Sequence, residues 1–184
     1  MQIKCRMPWL VWICALLFLG TGCATGLRGL PPVGGIANFD EVNPHLYRGA
    51  QPDRAGLEYL HRLGIRTVID LRMTNDVRIA EAEEVRAQGM NYFNVPMSGS
   101  GRPKMETVLT VLSIIETSPS PVFVHCHYGC DRTGTIIACY RMKHEEWKSS
   151  KALNEARIHG MYWWKFGMKN FVSDFEQHSE ARSK

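Results

Sequence analysis

The chain has 184 residues, of which 45% are hydrophobic, 22% charged and 10% aromatic. This composition is that of an ordinary globular protein and the length suits one well-buried domain, which excludes a disordered chain, a collagen and a small disulfide scaffold. The net charge is only +4 and the basic residues are scattered, which argues against nucleic acid as a partner.

Residues 1–22 have the layout of a bacterial export signal. Lys4 and Arg6 are followed by the unbroken apolar run 9–19, and small residues precede Cys23. An apolar helix of that length would reach only about 16 Å, well short of a hydrocarbon core of roughly 30 Å, so a membrane-spanning helix is the weaker interpretation. We therefore predict that residues 1–22 are a signal peptide.

The end of this segment, Leu-Gly-Thr-Gly-Cys at 19–23, resembles the lipobox of bacterial lipoproteins. The resemblance implies that Cys23 is lipidated and becomes the mature N-terminus, although Gly20 stands where that motif usually has leucine. It also implies an exported protein, either anchored to the membrane on its periplasmic side or free in the periplasm. Because residues 23–38 are rich in glycine and proline, we predict a flexible tether there and a folded domain over 39–184.

Short apolar runs then alternate with stretches of helical periodicity along the chain. The predicted elements are a strand at 46–48, a helix at 53–61, a strand at 66–71, a helix beginning at Asn75 or Asp76 and ending at 88, a strand at 91–96, a helix at 105–117, a strand at 121–125, and further helices from about 133, 149 and 164. This alternation predicts an α/β fold: a central, mostly parallel sheet of 4–5 strands flanked by helices on both faces.

The residues that carry chemistry follow the last predicted strand. Cys126 and Arg132 are separated by five residues, between the end of a strand and the start of a helix. A loop of this length, helped by Gly129, can point successive backbone N–H groups at one anion, to which the helix N-terminus adds its dipole. That cradle fits a phosphate and stabilises the thiolate form of Cys126. Arg132 can bind two phosphate oxygens through its planar guanidinium.

This loop resembles the HCxxGxxRT signature of the cysteine-dependent phosphatases, matched here by His125, Cys126, Gly129, Arg132 and Thr133. Segments 46–52 and 63–72 are similar to the compact bacterial branch that resembles dual-specificity phosphatases. The resemblance covers about residues 39–175 and implies the fold of that branch.

The resemblance also implies a two-step reaction through phosphocysteine, without a metal or cofactor. In it Cys126 attacks phosphorus, Arg132 and the loop amides bind the oxygens, and Thr133 stabilises the sulfur as it departs. His125 is implied to hold the loop by hydrogen bonding. The loop positions expected to contact substrate are His127, Tyr128, Gly129 and Cys130.

The general acid is the missing part of this pattern. The family usually supplies an aspartate from a loop well before the cysteine, yet no acidic residue lies between Glu84 and Glu106. Asp131 is our candidate, because an aspartate directly before the loop arginine also occurs in myotubularin-type and Sac-type lipid phosphatases, where it has been proposed as the acid. Asp70 and Asp76 are the fallback candidates.

Several alternatives remain open. Asp131 is a candidate for orienting Arg132 or capping the helix instead. Zinc binding by the loop's histidines and cysteines is disfavoured, because neighbours along a strand point to opposite faces and no second ligand pair has metal spacing. Cys130 is interpreted as a loop filler, and a reversible disulfide between Cys126 and Cys130 is the sharper hypothesis.

Two further sets of side chains are interpreted as structural. Arg48, Gln51 and Arg72 are assigned structural roles rather than contacts with phosphate. The tryptophans at 147, 163 and 164 are expected to pack the C-terminal helices rather than to face a membrane.

Three functions are consistent with these residues. The leading one is an exported, monomeric phosphomonoesterase acting on phosphotyrosine or phosphoserine/threonine in a protein, or on a small phosphomonoester. The second is a phosphatase for inositol phosphates or phosphoinositides, suggested by Asp131 but weakened because the loop has no lysine to hold extra phosphates. The third is a phosphate-binding module that has lost turnover.

Overall fold

A computed structural model describes residues 28–75 and 79–182 of the chain, without the side chains of residues 79 and 177–182. Within these ranges the chain forms five strands and six helices. In chain order they are β1 (Asp40–Asn43), β2 (Leu46–Ala50), α1 (Arg54–Arg62), β3 (Thr67–Asp70), α2 (Ile79–Ala87), β4 (Asn91–Asn94), α3 (Met105–Thr117), β5 (Val122–Cys126), α4 (Asp131–Glu145), α5 (Ser149–Ile158) and α6 (Phe166–Arg182).

The strands form one sheet in the order β1-β2-β5-β3-β4. Strand β5 lies in the middle and pairs in parallel with β2 and β3, while β4 extends the sheet in parallel beyond β3. Only β1, at the edge next to β2, is antiparallel among the described strands. The predicted mostly parallel sheet of 4–5 strands is therefore confirmed. Strand β1 was not predicted, because its sequence Asp-Glu-Val-Asn has little of the composition of a strand.

Helices cover both faces of the sheet and create two hydrophobic cores. Helices α1 and α2 pack on one face over a core that includes Phe123, and α3 to α6 pack on the other over a larger core that includes Val124 and Cys126. Successive side chains of a strand point to opposite faces, so β5 contributes to both cores. All five residues of β5 are buried. The Cys126 side chain therefore points to the face of the sheet that α4 covers.

The observed helix boundaries agree with some of the predicted bounds and caps and not with others. Helix α3 has the predicted bounds. Asp53 caps α1, since its Oδ1 accepts a hydrogen bond from the Gly56 N–H at 2.8 Å. Asn75, one of the two proposed caps of α2, lies in a turn, and Asp76 lies outside the described residues. None of the described helices is long and apolar enough to cross a bilayer.

Part of the predicted tether is folded against the domain. Ile36 and Asn38 are completely buried, and Ile36 belongs to the core beneath α1. The Asn38 side chain accepts a hydrogen bond from the Leu30 N–H at 2.9 Å and donates to the carbonyl oxygens of Gly129 at 3.0 Å and His159 at 2.9 Å. The predicted tether is therefore wrong for residues 28–38, because one buried amide fixes a segment of flexible composition. The predicted signal peptide and Cys23 lie outside the described residues.

The three tryptophans expected to pack together behave differently. Trp147 packs against the larger core, with Arg141 and Lys151 over its ring. Trp163 is 72% exposed and Trp164 is 47% exposed. The packing prediction is therefore wrong for these two, which lie in the turn between α5 and α6.

Candidate active site

The predicted loop joins the C-terminal end of β5 to the first turn of α4. Cys126 is the last residue of β5, and Asp131 and Arg132 are the first two residues of α4. All three line one cavity of about 230 Å³. The other lining residues are Arg28, Gly99, Tyr128, Tyr162 and Lys165. The structure thus brings together the predicted nucleophile, the predicted oxygen-binding arginine and the candidate acid.

The carbonyl groups of the loop are bound from the side of the protein body. The His127 carbonyl accepts from the Gln51 N–H at 3.3 Å, and the Tyr128 carbonyl accepts from the Asn38 side chain at 3.4 Å. The Gly129 carbonyl accepts from Asn38 at 3.0 Å and from Arg48 at 3.2 Å. In a trans peptide the next N–H points opposite to each carbonyl. The N–H groups of residues 128, 129 and 130 therefore point away from the body, as a phosphate cradle requires.

Arg48 supports this loop from below and does not reach substrate. Its side chain is 1% exposed, and burial lowers its pKa to about 10. It remains a cation at neutral pH, so a buried positive charge lies behind the loop that holds Cys126. The contact with the Gly129 carbonyl agrees with the structural role predicted for Arg48.

Gly129 has the backbone conformation that the loop needs. Its φ is +69°, and a Cβ there would lie 2.4 Å from the carbonyl carbon of Gly49 in β2. Both the left-handed conformation and this close approach exclude a side chain.

We expect Gly129→Ala to lower the free energy of unfolding by about 3 kcal/mol or more, because it adds steric overlap to an unfavourable φ. Urea unfolding followed by circular dichroism measures the change. Gly89→Ala is the matched control, since Gly89 has a φ of +74° and nothing within 4 Å of its Cβ position. The control should cost only about 1 kcal/mol. Equal losses for the two variants would contradict the close contact seen here.

Arg132 is oriented by the loops that follow two strands. Its Nη1 donates to the carbonyl oxygens of Leu71 and Met97, both at 3.5 Å. Leu71 directly follows β3, and Met97 lies just beyond β4. These contacts hold the guanidinium along the wall of the cavity that contains Cys126.

Thr133 carries a buried hydroxyl that has no hydrogen-bond partner within the described residues. An unsatisfied buried hydroxyl costs about 1–3 kcal/mol, so this hydroxyl is available to a partner that the reaction supplies. The position, one residue beyond Arg132, fits the predicted role of stabilising the sulfur of Cys126. That role stays a prediction.

His125 is fixed by a buried polar cluster on the other face of the sheet. Its Nε2 lies 3.0 Å from Oε1 of Glu81, and Arg72 donates to Glu81 at 2.6 Å and to Asp70 at 2.7 Å. The Tyr92 hydroxyl donates to Asp70 at 2.8 Å. Burial by itself would raise the pKa of Asp70, but the hydrogen bonds from Arg72 and the nearby His125 hold it below its usual range. The cluster therefore anchors the residue next to the nucleophile.

This cluster resembles a metal site that the sequence did not suggest, and it contains Asp70, one of the two fallback candidates for the general acid. Asp70, Glu81 and His125 offer three ligand atoms within 4.8 Å of one another, as a metal site would. Arg72 bonds to both carboxylates and supplies the positive charge there. Asp70 is completely buried and does not line the cavity with Cys126, which removes it as an acid. The other fallback, Asp76, lies outside the described residues.

Asp131 lies in the cavity but has the contacts of a carboxylate. Its Oδ1 accepts from the Tyr162 N–H at 2.9 Å, and its Oδ2 lies 3.5 Å from Nη1 of Arg28 and 3.9 Å from Nζ of Lys165. One partner is a backbone N–H donor and the other two are cations. The position of Asp131 in the cavity of Cys126 fits the general-acid hypothesis. Its contacts favour instead a role in anchoring Arg28 and Lys165.

Arg28 and Lys165 are cavity residues that the sequence analysis missed. The Arg28 guanidinium lies 3.3 Å from the centroid of the Tyr162 ring, and Lys165 donates to the Gly99 carbonyl. Arg28 is in the segment predicted to be a tether, so no pattern marked it. Lys165 is in the aromatic turn before α6, where no motif marks a lysine as part of a site. Together they supply the positive charge that the loop itself lacks.

The remaining loop residues differ in which cavity, if any, they line. His127 lines a neighbouring cavity of about 480 Å³, and Tyr128, which is 57% exposed, lines both. Cys130 is completely buried and lines neither, its sulfur lying 3.2 Å from the Tyr128 carbonyl oxygen. Burial raises its pKa to about 11. The Cys130 side chain therefore lies away from the cavity, and the predicted substrate contact at this position falls to its backbone N–H, where it stays a prediction. Both thiols are free, and a disulfide between Cys126 and Cys130 stays a prediction.

The fold and the site define a class of enzyme. A cysteine at the end of a central parallel strand, a cradle of N–H groups at a helix N-terminus and an arginine in the same cavity are the parts of a cysteine-dependent phosphatase. The family model described as a DSP-PTPase phosphatase fused to NAD+ kinase matches residues 32–174, and the chain belongs to this family. The predicted relationship to cysteine-dependent phosphatases is confirmed.

Individual relatives support the same conclusion. The dual specificity protein phosphatase TpbA of Pseudomonas aeruginosa is 30% identical over 125 residues, which are 67% of this chain and 54% of TpbA. The inositol diphosphatase DSP1 of Oryza sativa subsp. japonica is 29% identical over 133 residues, 68% of this chain and 56% of DSP1. This chain thus spans just over half the length of these two relatives.

A solved structure shows the same fold. The crystal structure of TpbA from P. aeruginosa matches with a TM-score of 0.69 and 22% identity, covering 87% of this chain and 99% of that chain. The family match and the relationship to TpbA in sequence make the chain a hydrolase of the protein tyrosine and dual-specificity phosphatase type, as the sequence predicted.

Proposed function

We propose that this phosphatase hydrolyses aryl and alkyl phosphomonoesters, above all phosphotyrosine in proteins, through a phosphocysteine on Cys126. The observation that carries the proposal is the single cavity that holds Cys126, Arg132 and the outward-facing N–H groups of the loop. Support comes from TpbA, which has been crystallised as a complex with phosphotyrosine.

The reaction follows from these positions. The Cys126 thiolate attacks phosphorus and displaces the ester oxygen, while Arg132 and the loop N–H groups bind the other oxygens. Water then attacks the phosphocysteine, which releases phosphate and returns the thiolate. In this scheme the Thr133 hydroxyl, which has no hydrogen-bond partner within the described residues, donates to the departing sulfur.

A second candidate substrate is a polyphosphorylated inositol. Arg28 and Lys165 bring two cations to the cavity of Cys126 from outside the loop, and DSP1 is described as an inositol diphosphatase. The loop has no lysine, which weakened the case for an inositol phosphate as substrate, but these two cations can take the place of such a lysine.

Steady-state hydrolysis without metal, with an aryl phosphate, a phosphotyrosine peptide and an inositol polyphosphate, separates the candidates. Arg28→Gln with Lys165→Gln is the informative variant. If inositol polyphosphates are the substrates, this double variant should raise their KM at least about tenfold. A tenfold rise corresponds to the loss of about one charge-assisted contact with the substrate. Its effect on the aryl phosphate should be smaller. A protein that binds phosphate and turns over none of these substrates would be a binding module.

Asp131→Asn tests the two roles of this residue. If Asp131 is the general acid, kcat/KM for an alkyl phosphate should fall by about 10²–10⁴-fold, and that for an aryl phosphate much less, because an aryl oxide leaves without a proton. If Asp131 only anchors Arg28 and Lys165, both substrates should lose equally. Measuring kcat/KM for both substrates from pH 4 to 8 distinguishes the outcomes.

We further propose that the protein is exported and anchored by a lipid on Cys23. The support is the sequence before residue 28, with its basic start, apolar run and lipobox-like end. Growth with radiolabelled palmitate should label the wild-type chain but not Cys23→Ser. Label retained in the variant would argue against the proposal.

A further inference from the structure

Three exposed aromatic side chains form a patch beside the cavity of Cys126. Trp163 is 72% exposed, Trp164 is 47% exposed and Phe166 is 56% exposed. We call these residues, with Lys169, the aromatic patch. The Lys169 ammonium lies 4.8 Å from the centroid of the Phe166 ring and donates to the Trp163 carbonyl. The patch therefore combines amphipathic and apolar rings with a cation.

The rings are held in a fixed arrangement. Trp164 stacks on Tyr162 with centroids 3.8 Å apart, and Trp163 stands edge-on to both Trp164 and Phe166. The Tyr162 N–H is bonded to Asp131 at the start of α4. The patch is thus attached directly to the active site, because Tyr162 and Lys165 also line its cavity.

The chain enters the domain at this same place. Arg28, the first described residue, stacks on the Tyr162 ring. Cys23 precedes it by five residues, which span at most about 17 Å when extended. If Cys23 carries the lipid, or if the apolar run 9–19 stays in the bilayer, the face around Arg28 is held close to the membrane.

We propose that the aromatic patch docks on the lipid bilayer, so that the mouth of the catalytic cavity faces the membrane surface. Tryptophan and lysine suit this place, because the indole ring and the lysine stem enter the apolar boundary while their polar ends stay among the headgroups. The inference rests on the proposed N-terminal anchor and is independent of the phosphatase reaction. Docking differs from simple tethering, in which the rings would stay in water.

Quenching by brominated lipids tests the difference. The full chain, carrying Trp9→Phe and Trp12→Phe so that only Trp147, Trp163 and Trp164 emit, is placed in vesicles of phosphatidylcholine and phosphatidylglycerol, with or without bromine on the acyl chains, and tryptophan emission is measured. Adding Trp163→Phe and Trp164→Phe to this parent chain leaves Trp147 as the reporter. Docking predicts that bromine quenches a larger part of the parent chain's emission than of the emission of this variant. Equal quenching would overturn the proposal, and a protein partner would then be the candidate occupant of the patch.

A charge placed in the patch should abolish the effect. Phe166→Asp should lose the additional quenching, whereas Leu63→Asp should keep it. Leu63 is also an exposed apolar residue, 37% accessible, but it lies at the end of α1, at the opposite end of the sheet from Cys126. Equal loss in both variants would also overturn the proposal. Aryl phosphatase activity without vesicles should be retained in both, so a failure of docking is separable from a failure of catalysis.

Discussion

Cys126→Ser is expected to lower kcat on an aryl phosphate by at least about 10⁴-fold, because a serine hydroxyl at this position is a far weaker nucleophile than a thiolate. Cys126 is the only cysteine among the described residues that lines the cavity with Arg132. The cradle of N–H groups and Arg132 are unchanged in the variant. We therefore expect it to bind phosphate or a phosphopeptide with an affinity close to that of the wild type.

Isothermal titration with inorganic phosphate and steady-state kinetics measure the two effects separately. Cys139→Ser is the matched control, since Cys139 is buried in the larger core and lies outside the cavity. It should cost about 1–3 kcal/mol of stability through its buried hydroxyl and leave the folded enzyme active. Residual turnover by Cys126→Ser close to that of the wild type would contradict the phosphocysteine mechanism.

Arg132→Lys should lower kcat/KM by about 10²–10³-fold, although it keeps the positive charge. The planar guanidinium can bind two phosphate oxygens at once and still donate to the carbonyl groups of Leu71 and Met97. An ammonium group is a point charge and cannot do both.

The comparison of Arg132→Lys with Arg132→Ala measures what geometry contributes beyond charge. If binding of phosphate depends on the bidentate contact, both variants should raise the Kd for phosphate, and lysine should restore only a small part of the affinity. Activity of Arg132→Lys near that of the wild type would show that the charge alone suffices.

Much of the fold and the centre of the site could be predicted because the signals are local. The apolar run of β5, the periodicity of α3 and the spacing from Cys126 to Arg132 each lie within one short segment of the chain. Their physical meaning does not depend on distant residues. The same holds for Gly129, where the loop needs a left-handed conformation.

What could not be predicted depends on contacts between distant segments. Arg28 contacts Asp131 from more than 100 positions away along the chain, and Glu81 in α2 contacts His125 in β5. The exposure of Trp163 and Trp164 follows from how α5 and α6 meet, which their aromatic character alone does not reveal. The glycine- and proline-rich composition of residues 28–38 also led to a wrong prediction of flexibility. This segment is ordered because Asn38 is buried in it and hydrogen-bonded to the rest of the domain.

The Asn38 amide is also a point at which one chemical change would reach the catalytic loop. Its Nδ2 donates to the carbonyl oxygens of Gly129 and His159, and so joins the catalytic loop to the end of α5. Deamidation would replace that donor with a carboxylate oxygen facing two carbonyl oxygens, at a fully buried position. A single ageing event far from Cys126 along the chain would then loosen the phosphate cradle. Such damage would accumulate with the age of the molecule.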